Sequence, residues 1–89
     1  MSVKFPNPSR SFEEDGNRVC FWGYDNVIEI AFYVEEDALK KLCPGLSDTE
    51  AGFLKAFDSV RNKIYDVADK VYTRGHERTF SHILSAKDF

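Results

Sequence analysis

The chain is poor in the residues that build covalent or metal scaffolds: two cysteines, two histidines and one methionine stand among 89 residues. Cys20 and Cys43 form neither a CxxC pair nor the framework of a small secreted domain, so both read as reduced thiols, which points to the cytosol. Long apolar runs are missing too. No stretch approaches the roughly 20 residues that span a bilayer, and Met1 to Phe12 lacks the basic-then-apolar order of a signal peptide. GxGxxG, Walker, HExxH and GxSxG sequences are absent, so nucleotide cofactors and the common hydrolase elbows have no support and no cofactor is expected. Nor is there an excess of positive charge. The 12 Lys+Arg against 15 Asp+Glu leave a net −3, far from the dense basic stripe of a nonspecific nucleic-acid binder.

What is present is an ordinary globular composition, 43% hydrophobic and 15% aromatic, short enough for one domain over residues 1–89. A chain of this size buries only about 60 to 65% of its unfolded surface, so most aromatics are needed for the core. Charge is uneven: residues 25–50 carry −5 and residues 51–89 carry +2.

The opening Phe5-Pro6-Asn7-Pro8-Ser9 predicts an extended arm over residues 1–9, because two prolines remove donors and push their neighbours toward extended geometry. Glu14-Asp15-Gly16-Asn17 predicts a hairpin turn between Arg10–Glu13 and Arg18–Gly23, and a second turn is expected at Gly23-Tyr24-Asp25-Asn26. Ile28, Ile30, Phe32 and Val34 then alternate with Val27, Glu29, Ala31 and Tyr33, the period of a strand with one face on a core. A short helix follows, acidic at Glu35-Glu36-Asp37 and basic at Lys40-Lys41, with Ala38, Leu39 and Leu42 inward. Ser47 to Glu50 fits a capping box that opens a long helix from Asp48 to Arg74. Its apolar positions Phe53, Phe57, Val60, Ile64, Val67 and Val71 keep a 4-3-4-3-4 spacing. Such a helix is about 40 Å long, whereas a compact chain of this length is about 30 Å across. Either it bends or breaks, or its far end, with Val67, Val71 and Tyr72, covers something else. Thr79 to Ala86 alternates as a fourth strand. The expected fold is α+β: an antiparallel β-meander, a short helix, a long helix and a C-terminal strand (β-β-β-α-α-β), with helices on one face of an antiparallel sheet.

Candidate chemistry is sparse. Cys20, Cys43, His76 and His82 are the right atom types for zinc, but 22 residues separate the cysteines and five the histidines, unlike the close pairs of structural sites, so no metal is expected. Cys43 falls at a helix C-terminus, where the dipole disfavours a thiolate, and Cys20 falls in mid-strand, so neither is an activated nucleophile and no catalytic residue is assigned. Arg74, His76 and Arg78 around Gly75 form the candidate ligand site, two guanidiniums and an imidazole suited to a phosphate or carboxylate; the plainer reading is basic residues completing a helix C-terminus. Trp22 and Tyr24 share one face of their strand, opposite to Phe21. With Val71 and Tyr72 they are the candidate interface.

Phe5-Pro6-Asn7-Pro8-Ser9-Arg10-Ser11-Phe12, then Val19-Cys20-Phe21-Trp22-Gly23-Tyr24-Asp25, then Phe32-Tyr33-Val34-Glu35-Glu36-Asp37-Ala38-Leu39, resemble a family of small bacterial proteins catalogued as domain of unknown function 1488. The resemblance runs through nearly the whole chain to Ala86-Lys87-Asp88-Phe89. It implies a single-domain α+β protein of the bacterial cytosol and transfers no site residue. The functional expectation is therefore a noncatalytic binding or interaction module, regulatory in kind, acting as a homodimer through its long helix or exposed sheet surface, or on another protein. The alternatives are a binder of a small anion or nucleic acid at Arg74, His76 and Arg78, and an enzyme without a recognisable motif.

Overall fold

A computed structural model describes residues 3–75 and 80–89. Three strands, β1 (Arg10–Glu13), β2 (Arg18–Asp25) and β3 (Ile28–Val34), form an antiparallel meander. Three helices follow, α1 (Glu36–Leu42), α2 (Glu50–Ser59) and α3 (Arg61–Arg74), then β4 (Ser81–Leu84) and a closing 3-10 turn at Ala86–Asp88. The strand order is β1-β2-β3-β4. The first turn forms where Gly16 and Asn17 take φ of 91° and 51°, the left-handed values a tight hairpin requires. The second falls later than the sequence suggests. Strand β2 runs on through Asp25, and the chain reverses at Asn26, whose φ is 58°.

The helices cover one face of the sheet. Val19, Phe21, Ile30, Phe32 and Val34 point to that side and are fully buried against Leu39, Phe53, Phe57 and Ile64. Phe12 lies on the same side, its ring 5.7 Å from Phe53. Ile28 continues the inward alternation yet is 44% exposed, at the end of the sheet where the chain turns. Ile30 and Phe32 share one buried cluster with Phe57 and Ile64, and Val60 packs against it; Ile28, expected there too, is outside it.

Three expectations are corrected. The fourth strand is parallel to β3, with Ala31 opposite Ser81 and Val34 opposite Leu84, so the sheet is mixed rather than antiparallel throughout. The helices lie between these neighbouring strands in sequence and act as the crossover that a parallel pair needs. The long helix is broken. Val60, at φ −123° and ψ 23°, separates α2 from α3. The Ser59 hydroxyl donates to the Ala56 carbonyl at 2.7 Å and the Val60 N–H to the Phe57 carbonyl at 3.2 Å, local bonds that compete with the regular ladder. The break lets Phe53 and Phe57 on one segment and Ile64 and Ala68 on the other all reach one core, in a molecule whose long axis is 35 Å. Finally, Thr49 rather than Ser47 caps α2, its hydroxyl accepting from the Gly52 N–H at 3.0 Å. Gly52 sits against the Ser47 backbone, where a Cβ would come 2.8 Å from the Ser47 carbonyl carbon, and that fold-back takes Ser47 away from the capping position.

The N-terminal arm is docked. Lys4 exchanges backbone bonds with Tyr24 at 2.9 and 2.8 Å, extending the edge of β2 beyond β1. Val3 is buried, and the Phe5 ring stacks on Tyr65 at 4.2 Å. Beyond these anchors Pro6 and Pro8 are exposed, and the Arg61 guanidinium donates to the Pro8 carbonyl at 2.9 Å.

Candidate functional site: the open face of the sheet

Strand alternation that buries Val19 and Phe21 turns Arg18, Cys20, Trp22 and Tyr24 to the other side, where among the described residues no helix lies. Register extends this surface. Ser11 lies beside Cys20 and Glu13 beside Arg18 on β1; Tyr33 lies beside Cys20, Ala31 beside Trp22 and Glu29 beside Tyr24 on β3. Ser81 follows Ala31, and Ile83 follows Tyr33, on β4. Ile83 is 55% exposed, and Trp22, Tyr24, Ala31 and Tyr33 are half-buried.

Charge sits at the two ends of this face. Arg18 Nε donates to Glu13 Oε1 at 2.8 Å, and its guanidinium lies 4.2 Å from the centre of the Tyr33 ring, a cation–π contact. At the opposite end the Tyr24 hydroxyl donates to Glu29 Oε2 at 2.8 Å. These neighbours set the protonation states. The bond to Glu13 raises the Arg18 pKa, and the bond to Glu29 raises that of the Tyr24 phenol. Burial pushes the Cys20 thiol up, and the adjoining Cys20 with burial does the same for Tyr33. At neutral pH the thiol and both phenols are therefore protonated. The middle of the face is an uncharged aromatic surface with hydroxyl donors, suited to packing against another surface and not to nucleophilic attack.

Two clefts lie elsewhere, each open to solvent. One, of about 410 Å³, runs along the α2–α3 break from Asp58 to Lys63. Asp58 there binds Arg10 at 2.7 and 3.0 Å and Arg61 Nη2 at 2.6 Å, and the Arg10 bond foremost holds its carboxyl below the usual range. The other, about 400 Å³, is lined by Cys43, Lys55 and Ser59, with the Cys43 Sγ 3.6 Å from the Ser59 hydroxyl. The chemistry of the first is an ion pair joining β1 to the helix break. The second holds a half-buried thiol already in contact with a neighbour.

Of the residues singled out from the sequence, Arg74 is the exposed last residue of α3, and the N–H of the next residue, Gly75, caps the helix by donating to the Val71 and Tyr72 carbonyls. His76 and Arg78 lie outside the described residues. Trp22 and Tyr24 are on the open face as expected. Val71 and Tyr72 are not with them: both pack on the helix-covered core, and the Tyr72 hydroxyl donates to the buried Asp25 at 2.8 Å. The four residues thus stand on opposite sides of the sheet, and the helix break removes the overhang that made Val71 and Tyr72 look available. Tyr33, Ile83 and the Arg18–Glu13 pair belong to the open face and were not singled out, although the alternation places Tyr33 opposite Phe32 and Ile83 opposite Leu84.

Among the described residues no His/Cys/Asp/Glu group has the geometry to hold a metal ion, and no helix is long and apolar enough to cross a membrane. No curated protein and no solved structure matches the chain. A family model matches residues 3–84, from the docked arm to the end of β4, and on that match the chain belongs to the family described as Protein of unknown function (DUF1488).

Proposed function

We propose that this protein is a noncatalytic interaction module, regulatory in kind and working in the cytosol, that binds a protein through the open face of its sheet. The observation that carries the reading is the composition of that face: Trp22, Tyr33 and Ile83 in and beside the centre, with Glu13, Arg18 and Glu29 at the ends. Protein interfaces are enriched in aromatics at the centre and keep charge at the rim. The protonated thiol and phenols support a binding role over a catalytic one.

The test is a spectrum of the 15N-labelled protein at low micromolar concentration in a lysate of its source organism. Amide signals of Trp22, Tyr24, Tyr33 and Ile83 are expected to broaden selectively, and Trp22→Ala to prevent it. Broadening confined to the helix side, or none at all, refutes the reading.

A further inference from the structure

The open face is complementary to itself. Across the sheet, one row reads Ser11, Cys20, Tyr33, Ile83, two small residues followed by two large ones. The neighbouring row reads Trp22, Ala31, Ser81, large and then small. Consider a two-fold axis parallel to the strands and lying over the gap between β2 and β3. It places each β2 position over the β3 position of the same row in a second copy, and each β1 position over β4. Trp22 then meets Ala31 of the other copy and Ile83 meets Ser11, while Tyr33 comes over Cys20, which its own chain already leaves only 5% exposed. In these two rows each large side chain falls on a smaller one; in the next row Tyr24 falls on Glu29. Aligned sheets cross at about 30°, but the pivot lies at the centre of the face, so the Trp22/Ala31 and Cys20/Tyr33 rows stay in register.

The charges permit the same arrangement. Glu13 and Arg18 are paired with each other at one end, and Glu29 holds the Tyr24 hydroxyl at the other. None sits in the central rows, so neither attraction to an oppositely charged surface nor repulsion between copies governs the contact. Size sets its strength. Four strands about 4.8 Å apart and six steps of about 3.3 Å give a face of roughly 19 by 20 Å, near 400 Å². That is about half of the ~800 Å² per partner of a standard stable interface. The contact is consequently reversible.

We infer that the protein forms a symmetric homodimer, sheet against sheet, in which Trp22 of each copy packs on Ala31 of the other. This rests on the open face being the contact surface and names its occupant as a second copy of the chain. The experiment is sedimentation equilibrium of the purified full chain from micromolar to millimolar concentration, for the wild type, Trp22→Ala, Ala31→Trp and the double variant. Circular dichroism and thermal melts show which variants fold.

The wild type is expected to shift from monomer to dimer with concentration. Each single change weakens association by about tenfold or more, as loss of an interfacial Trp does, because Trp22→Ala leaves small over small and Ala31→Trp sets large over large. The double variant restores large over small and with it the dimer. As a second probe that leaves the core alone, Ile83→Glu, at a position 55% exposed, weakens the dimer as well. A wild type that stays monomeric to millimolar concentration overturns the inference. So does a dimer indifferent to the single changes or to Ile83→Glu, or a double variant that folds without recovering association. A monomer whose open face still broadens in lysate overturns the homodimer alone, whereas a monomer with no such broadening overturns the interaction reading as well.

Discussion

Replacing Gly23 by alanine tests whether the N-terminal arm is part of the fold. Gly23 is buried on β2, opposite Ile30, and a Cβ built there runs into Val3 Cγ1 and comes within 2.7 Å of the Phe5 ring. Contacts below 3.0 Å must be relieved, and here the obstructing atoms belong to the arm. Forcing an extra methyl into a packed site costs about 1–3 kcal/mol. The cost has a ceiling, since the chain can instead release the arm, giving up the Val3 burial and the Phe5–Tyr65 stack while regaining the arm's conformational freedom. Gly23→Ala is therefore expected to destabilise by about 1–3 kcal/mol and never by more than removal of residues 1–5 does. In the chain without residues 1–5 the sign reverses. Alanine then meets no arm and restricts the unfolded chain, stabilising by about 0.4–1 kcal/mol. Urea denaturation of the four chains, followed by circular dichroism, measures the coupling. An equal cost of Gly23→Ala with and without the arm would show that the clash lies elsewhere and refute the docking.

Thr49→Ala, which removes the acceptor for the Gly52 N–H, is expected to lower stability by about 1 kcal/mol, while Ser47→Ala changes it by less than about 0.5 kcal/mol; the reverse ranking would restore Ser47 as the cap. The depressed Asp58 pKa, caused first by the Arg10 bond, contributes stability that is present above the unfolded carboxylate value of about 3.9 and lost as pH falls through the lower folded value. Asp58→Asn should flatten that part of the acid limb in urea melts between about pH 5 and 2, and an unchanged acid limb would refute the pairing. In thiol titration with an aromatic disulfide at pH 8, Cys43, half-buried at the end of α1, reacts first. Cys20, 5% exposed with its pKa raised by burial, waits for unfolding, and equal rates for both would contradict the placement of Cys20.

The parts of the fold that follow from period and local chemistry were legible in the sequence, and those that depend on tertiary context were not. Ile30, Phe32 and Val34 declare a half-buried strand by alternation, and Glu36 and Lys40 mark a short helix whose ends carry the right charges and form an i,i+4 pair at 2.8 Å. The α2–α3 break carries no glycine or proline. It depends on Ser59 turning back to Ala56 and on Arg10 reaching Asp58 from 48 residues away, which no local window contains. The parallel pairing of β4 is likewise a property of the crossover. Thr49 displaced Ser47 as cap because Gly52 lets the preceding loop fold onto the helix. For the candidate site, Trp22 and Tyr24 were readable as sharing a face; that Tyr33 and Ile83 join them requires the register between strands.

Among the described residues the helices all lie on the other face of the sheet, and the composition of the open face explains why that matters. The three helices, of 7, 10 and 14 residues, all pack on the face that holds Phe21 and Phe32. An antiparallel meander tolerates water on its second face when the outward positions are polar. Here the central outward positions are Cys20, Trp22, Ala31 and Tyr33, a set with no charge. Two contacts bring charged groups onto it: Arg18 lies over Tyr33, and Tyr24 is tied to Glu29. Each uses a charged side chain from an end of the face and leaves Trp22 in the middle without such a cover. A surface selected only for solubility would place a polar residue there, because Trp22 adds nothing to the core on the far side of β2. Its presence between Cys20 and Tyr24 is the feature that burial in the core leaves unexplained and that the proposed contact with another protein surface would account for.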